Sequence, residues 1–94
     1  MALHSIADVT LSATATALSS TSIRAAWVQV QAKSLSGVAR IGDSLISTSR
    51  GGLISSTGDY QFAPTLGNAN AYDLSSIYVL GTPGDVIAVL YDTN

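Results

Sequence analysis

Trp27-Val28-Gln29-Val30-Gln31-Ala32 decides the fold class. Val28, Val30 and Ala32 fall on one parity and Trp27, Gln29 and Gln31 on the other. That period of two suits a pleated strand and not a helix, which repeats every ~3.6 residues. Upstream, Val9, Leu11, Ala13, Ala15 and Ala17 alternate with Thr10, Ser12, Thr14 and Thr16, which predicts a half-buried strand over residues 9–18; the Ser/Thr/Ala content resembles a linker, but a linker has no need of alternation. Downstream, Val38 to Ile41 read as a short strand closed by Gly42 and Asp43. The apolar pairs Leu45-Ile46 and Leu53-Ile54 flank a break at Gly51 and Gly52.

Tyr60, Gln61 and Phe62 alternate before Pro64, which has no amide to give to a ladder and marks a strand end or edge. A polar loop follows. Ser76 to Leu80 and Asp85 to Tyr91 are apolar on both parities, as expected of strands covered on two sides, with Thr82, Pro83 and Gly84 turning between them. Gly-Asp steps at Gly42, Gly58 and Gly84 stand near strand boundaries, where glycine supplies unusual backbone angles and aspartate caps free amides. The predicted architecture is all-β: a single small antiparallel β-sandwich or jelly-roll-like barrel of about seven to eight strands. Residues 1–8 are expected to be a loose N-terminal arm and 9–94 the domain. Ala15-Thr16-Ala17 imitates a processing site, but without a basic segment before it and with Asp8 in the way it reads as mature sequence.

With 94 residues, the chain suits one domain with a thin core, and it has no cysteine or cluster of metal ligands to staple it. Apolar residues make up 47% but charged residues only 11%, less than half the usual share, so Ser, Thr, Ala and Gly must cover much of the surface. Lys33 is the single lysine and there is no glutamate. Those are the residues most costly to desolvate at an interface, and their scarcity points to oligomerisation as the missing source of stability. Arg24, Lys33, Arg40 and Arg50 are scattered in a chain of net charge −2, which argues against direct nucleic-acid binding. The apolar runs fall short of the ~20 residues a membrane helix needs, so no membrane partner is expected.

Gly42-Asp43-Ser44-Leu45 spells the block of a family of serine esterases. That chemistry needs a base beside the serine, and the single histidine, His4, lies in the expected arm; the block reads as a turn. A cupin-type metal site needs several histidines and a carboxylate, and calcium at Asp43, Asp59, Asn68, Asn70 or Asp73 lacks the alternating acidic spacing, so these residues read as Asx turns. Arg50-Gly51-Gly52 occurs once and reads as a flexible turn. Trp27, Tyr60, Tyr72, Tyr78 and Tyr91 offer faces for stacking on sugars, though packing in a core or interface is their commoner use. No catalytic residue, cofactor or metal is expected.

Trp27 to Ala32, Val38 to Ser44, the run Asn68-Ala69-Asn70-Ala71-Tyr72-Asp73-Leu74-Ser75-Ser76-Ile77-Tyr78-Val79, and Gly84 to Tyr91 together resemble a pattern in small virion proteins of tailed bacteriophages. The likeness spans residues 9–92, leaving Leu45 to Pro64 without a counterpart. It implies a compact β-sandwich, commonly a homotrimer, that decorates or cements the capsid or forms part of a head fibre or tail. The expected partners are then further copies of the chain and the major capsid protein, at the capsid surface of a virion made in the host cytoplasm. Leu3 and Ile6 in the arm, with Trp27 and Tyr72 as anchors, are the expected interface residues, and deleting the arm is expected to spare the fold. The rival expectation is a carbohydrate-binding, host-attachment module of a phage tail or fibre.

Overall fold

The computed structural model describes residues 2–63 and 70–93. It is all-β and antiparallel, built as two four-stranded sheets facing each other with a small two-stranded sheet at one end. The strands are β1 (Ala2–Thr10), β2 (Thr16–Ala17), β3 (Arg24–Ala25), β4 (Trp27–Ser34), β5 (Ala39–Gly42), β6 (Gly52–Ile54), β7 (Asp59–Phe62), β8 (Tyr72–Asp73), β9 (Tyr78–Leu80) and β10 (Val86–Thr93). The count of ten among the described residues exceeds the expected seven to eight because three of them are only two residues long. The first sheet runs β1-β10-β4-β7, the second β2-β9-β5-β6, and β3 pairs with β8.

The alternation that decided the fold class does its work in β4 and β10. Val28 and Val30 face inward beside Ile87 and Val89, and all four are buried. Opposite them, the inner face of the second sheet presents Ile41, Ile54 and Val79, and these side chains form one continuous apolar core. No polar or charged residue is buried among the described residues. The apolar residues of β10 on the other parity, Val86, Ala88 and Leu90, are half-buried, short of the two-sided cover that the apolar run suggested.

Residues 2–10 overturn the expectation of a loose arm. They form an edge strand in register with β10, Leu3 opposite Asp92 and Ile6 opposite Val89. A bulge between Ile6 and Val9 sets two residues of β1, Ala7 and Asp8, against one of β10, Ala88, and keeps both Ile6 and Val9 on the inner face. The three-residue spacing that results between the inward Ile6 and Val9 hides the strand period in the sequence.

The strand expected over residues 9–18 is broken instead. Ser12 accepts the Thr14 amide on its Oγ at 3.3 Å and donates to the Thr14 carbonyl at 3.0 Å, a local turn that competes with ladder bonding. Only Thr16 and Ala17 then pair, with β9.

Leu45-Ile46 is likewise no strand but part of the β5–β6 loop, closed by a bridge between Ser47 and Arg50. Gly51 ends that loop at φ +122°, and a Cβ there would sit 3.1 Å from the Ile41 carbonyl oxygen, so this turn requires glycine. The turn Thr82–Asp85 is present, held by the Asp85 amide on the Thr82 carbonyl at 3.1 Å, and it carries the chain from the second sheet to the first. Pro64, with its expected strand end, and Asn68 lie outside the described residues.

Candidate functional site

Register places two of the four expected interface residues together. Leu3 on β1 and Trp27 on β4 both stand opposite Asp92 of β10, from its two sides, on the outer face of the first sheet. Leu3 is 67% exposed and Trp27 is half-buried. Between them, Asp92 Oδ1 is covered and has no hydrogen-bond partner among the described residues. An unpaired carboxylate oxygen shielded from water is costly, so a cation that reaches the other oxygen, Oδ2, and offsets the charge is favoured beside this row of three.

The other two expected residues face inward. Ile6 packs on the core, and Tyr72 sets its ring edge-on to Phe62 at 5.4 Å while its hydroxyl donates to the Ala63 carbonyl at 2.7 Å. Tyr60 and Tyr91 also pack against the core, and Tyr91 stacks on His4 at 5.0 Å. Most of the aromatic faces are thus spent inside the chain.

A second outer surface was not foreseen. Across the second sheet, Leu53, Arg40 and Leu80 stand in one row, and with Val38, Ala13 and Pro83 they line an open groove of about 460 Å³. Val38 is 58% and Leu53 55% exposed. Arg40 crosses the groove with its guanidinium donating to the carbonyls of Gly51 (2.9 Å) and Thr48 (3.1 Å), so its charge is occupied by the β5–β6 loop. The sequence held a signal for this surface: in each apolar pair of a one-sided segment, only one residue can face the core. Ile46 and Ile54 are buried, and Leu45 (61% exposed) and Leu53 are left outside.

The residues weighed for chemistry serve local structure. Asp43 accepts the Leu45 amide at 3.0 Å in an Asx turn, with Ser44 exposed on it, while His4 lies on β1 with Tyr91 and Thr93 beside it. Asp73 caps the 3-10 helix Leu74–Ser76, accepting from the Ser75 amide at 3.0 Å, and also binds the hydroxyls of Ser22 (2.6 Å) and Ser75 (2.7 Å). These bonds, the Ser22 hydroxyl first, hold its carboxyl down to about 2 from the ordinary 3.8. Asp59 accepts from Gln29 Nε2 at 2.7 Å, a cross-strand tie in place of the expected Asx turn. Among the described residues, no three His, Cys, Asp or Glu side chains gather to hold a metal, and no helix is long and apolar enough to cross a membrane.

No family model matches the chain, and neither a curated protein nor a solved structure matches it.

Proposed function

We propose that the protein is a structural assembly unit that works by binding, without turnover: a capsid decoration or cement protein that joins copies of itself to a repetitive protein shell and stabilises it. The observation that carries this reading is the pair of apolar outer faces on opposite sheets, Leu3 and Trp27 on one and Val38, Leu53 and Leu80 on the other. The domain's accessible surface of 5012 Å² is close to the ~5,100 Å² expected of a compact 9.6 kDa monomer. Its exposed leucines and valine therefore belong to finished surfaces and not to an open core. A weakly charged unit with two apolar faces can bridge two neighbours, and burial that is lost when a shell opens raises the barrier to opening. Many copies on one shell multiply the effect. The resemblance to small virion proteins of tailed phages agrees with this role and supplies the shell's identity, a phage capsid with the major capsid protein as partner.

Copy number in a purified particle tests the reading. A cement protein is present at tens to hundreds of copies, set by the shell's symmetry. A handful of copies confined to one vertex would instead favour the host-attachment module.

A further inference from the structure

The charges of this chain are few enough to be followed one by one. Among the described residues, every aspartate except Asp92 has a hydrogen-bond or ion-pair partner for its carboxylate. Of the cations, Lys33 pairs with Asp8, Arg24 donates to the Asn70 carbonyl, and Arg40 donates to Gly51 and Thr48. Arg50 alone has no side-chain partner there. One anion and one cation are therefore left over, and they sit on opposite sheets: Asp92 between Leu3 and Trp27 on the first, Arg50 on the exposed β5–β6 loop of the second with Leu45 and Leu53 on either side in sequence.

We propose that the Asp92 face of one copy receives the Arg50 loop of a second copy. A guanidinium is weakly hydrated and loses little on partial burial, so it suits a carboxylate whose Oδ1 is already shielded from water, its N–H donors reaching the open oxygen, Oδ2. Leu45 lies against Leu3 and Trp27, adding apolar burial around the ion pair. Because the two surfaces differ and belong to opposite sheets, the contact is head-to-tail, and the rotation between copies decides whether it closes into a ring. The contact deepens the assembly role above and rests on it for its purpose. It forms in the isolated protein, so its failure is distinguishable from a failure of shell binding, which is scored by particle occupancy.

Sedimentation equilibrium of the full-length chain tests the contact. D92R and R50D each place like charges together and are expected to weaken self-association about tenfold or more, and the double variant D92R/R50D, which exchanges the charges, is expected to restore it to within about threefold of the original. Far-UV circular dichroism establishes that each variant is folded. If D92R does not fold, D92N replaces it, and the expectation is weaker association with no loss of monomer stability, since the orphan charge is removed. The proposal is overturned if the original protein stays monomeric, if either single variant associates unchanged, or if the double variant is as weak as the singles.

Discussion

Asp73 shows how a single side chain organises the end of the sandwich where β3 meets β8. Its carboxylate gathers Ser22, Ile23 and Ser75, residues from two distant parts of the chain, and so joins the β2–β3 connection to the turn before β9. Hydrogen bonds to the charged form lower the folded pKa from 3.8 to about 2. A lowered folded value means that the carboxylate contributes stability above about pH 4 and loses that contribution as the pH falls through about 2. Asp73→Asn is therefore expected to melt below the original protein at neutral pH, with the gap narrowing between about pH 4 and pH 2; thermal melts across that range check it, and a gap that does not change with pH would contradict the assignment. At this scale the sequence was partly legible. Asp43 and Asp73 were readable as Asx turns because such turns are local, whereas the Asp59–Gln29 tie and the exposed Asp92 row depend on register between distant strands, which no short window of sequence contains.

Among the elements, β1 carries the largest revision. As an edge strand it covers one side of β10, and Ile6 adds apolar contact to the core. Deleting residues 2–7 is expected to lower the melting temperature by about 5 °C or more, as losing the half-burial of Ile6 and the ladder from Ala2 to Ile6 costs at least about 1 kcal/mol. An unchanged melt would restore the idea of a loose arm. The legible strands were those with a clean period or a compact apolar run: β4 and β7 fall where the alternation put them, and β5, β9 and β10 where apolar runs did. Those that were missed had it disguised, by the bulge in β1 and by the Ser12–Thr14 turn that splits the segment after it. The apolar pairs Leu45-Ile46 and Leu53-Ile54 were legible only as short pieces flanking the Gly51-Gly52 break; the structure buries one residue of each and leaves Leu45 and Leu53 facing outward.

At the scale of the whole molecule, a chain of 94 residues without staples was expected to need a partner for stability. The fold gathers one continuous apolar core, has an ordinary surface area for its mass, and leaves exposed apolar side chains on two opposed outer faces. The surfaces open to a partner are the groove of Val38, Leu53 and Leu80 on one side and the Leu3–Asp92–Trp27 row on the other. The central claim is that these faces bind a shell and strengthen it. Its most direct test is to add the purified protein back to capsids that lack it and follow both occupancy and the temperature at which the shell ruptures. The account predicts saturable binding at a fixed ratio to the capsid protein with a higher rupture temperature, both lost in L53D, which puts a charge into the groove while leaving the core intact. Binding that does not saturate, or full occupancy with no change in rupture temperature, would contradict it.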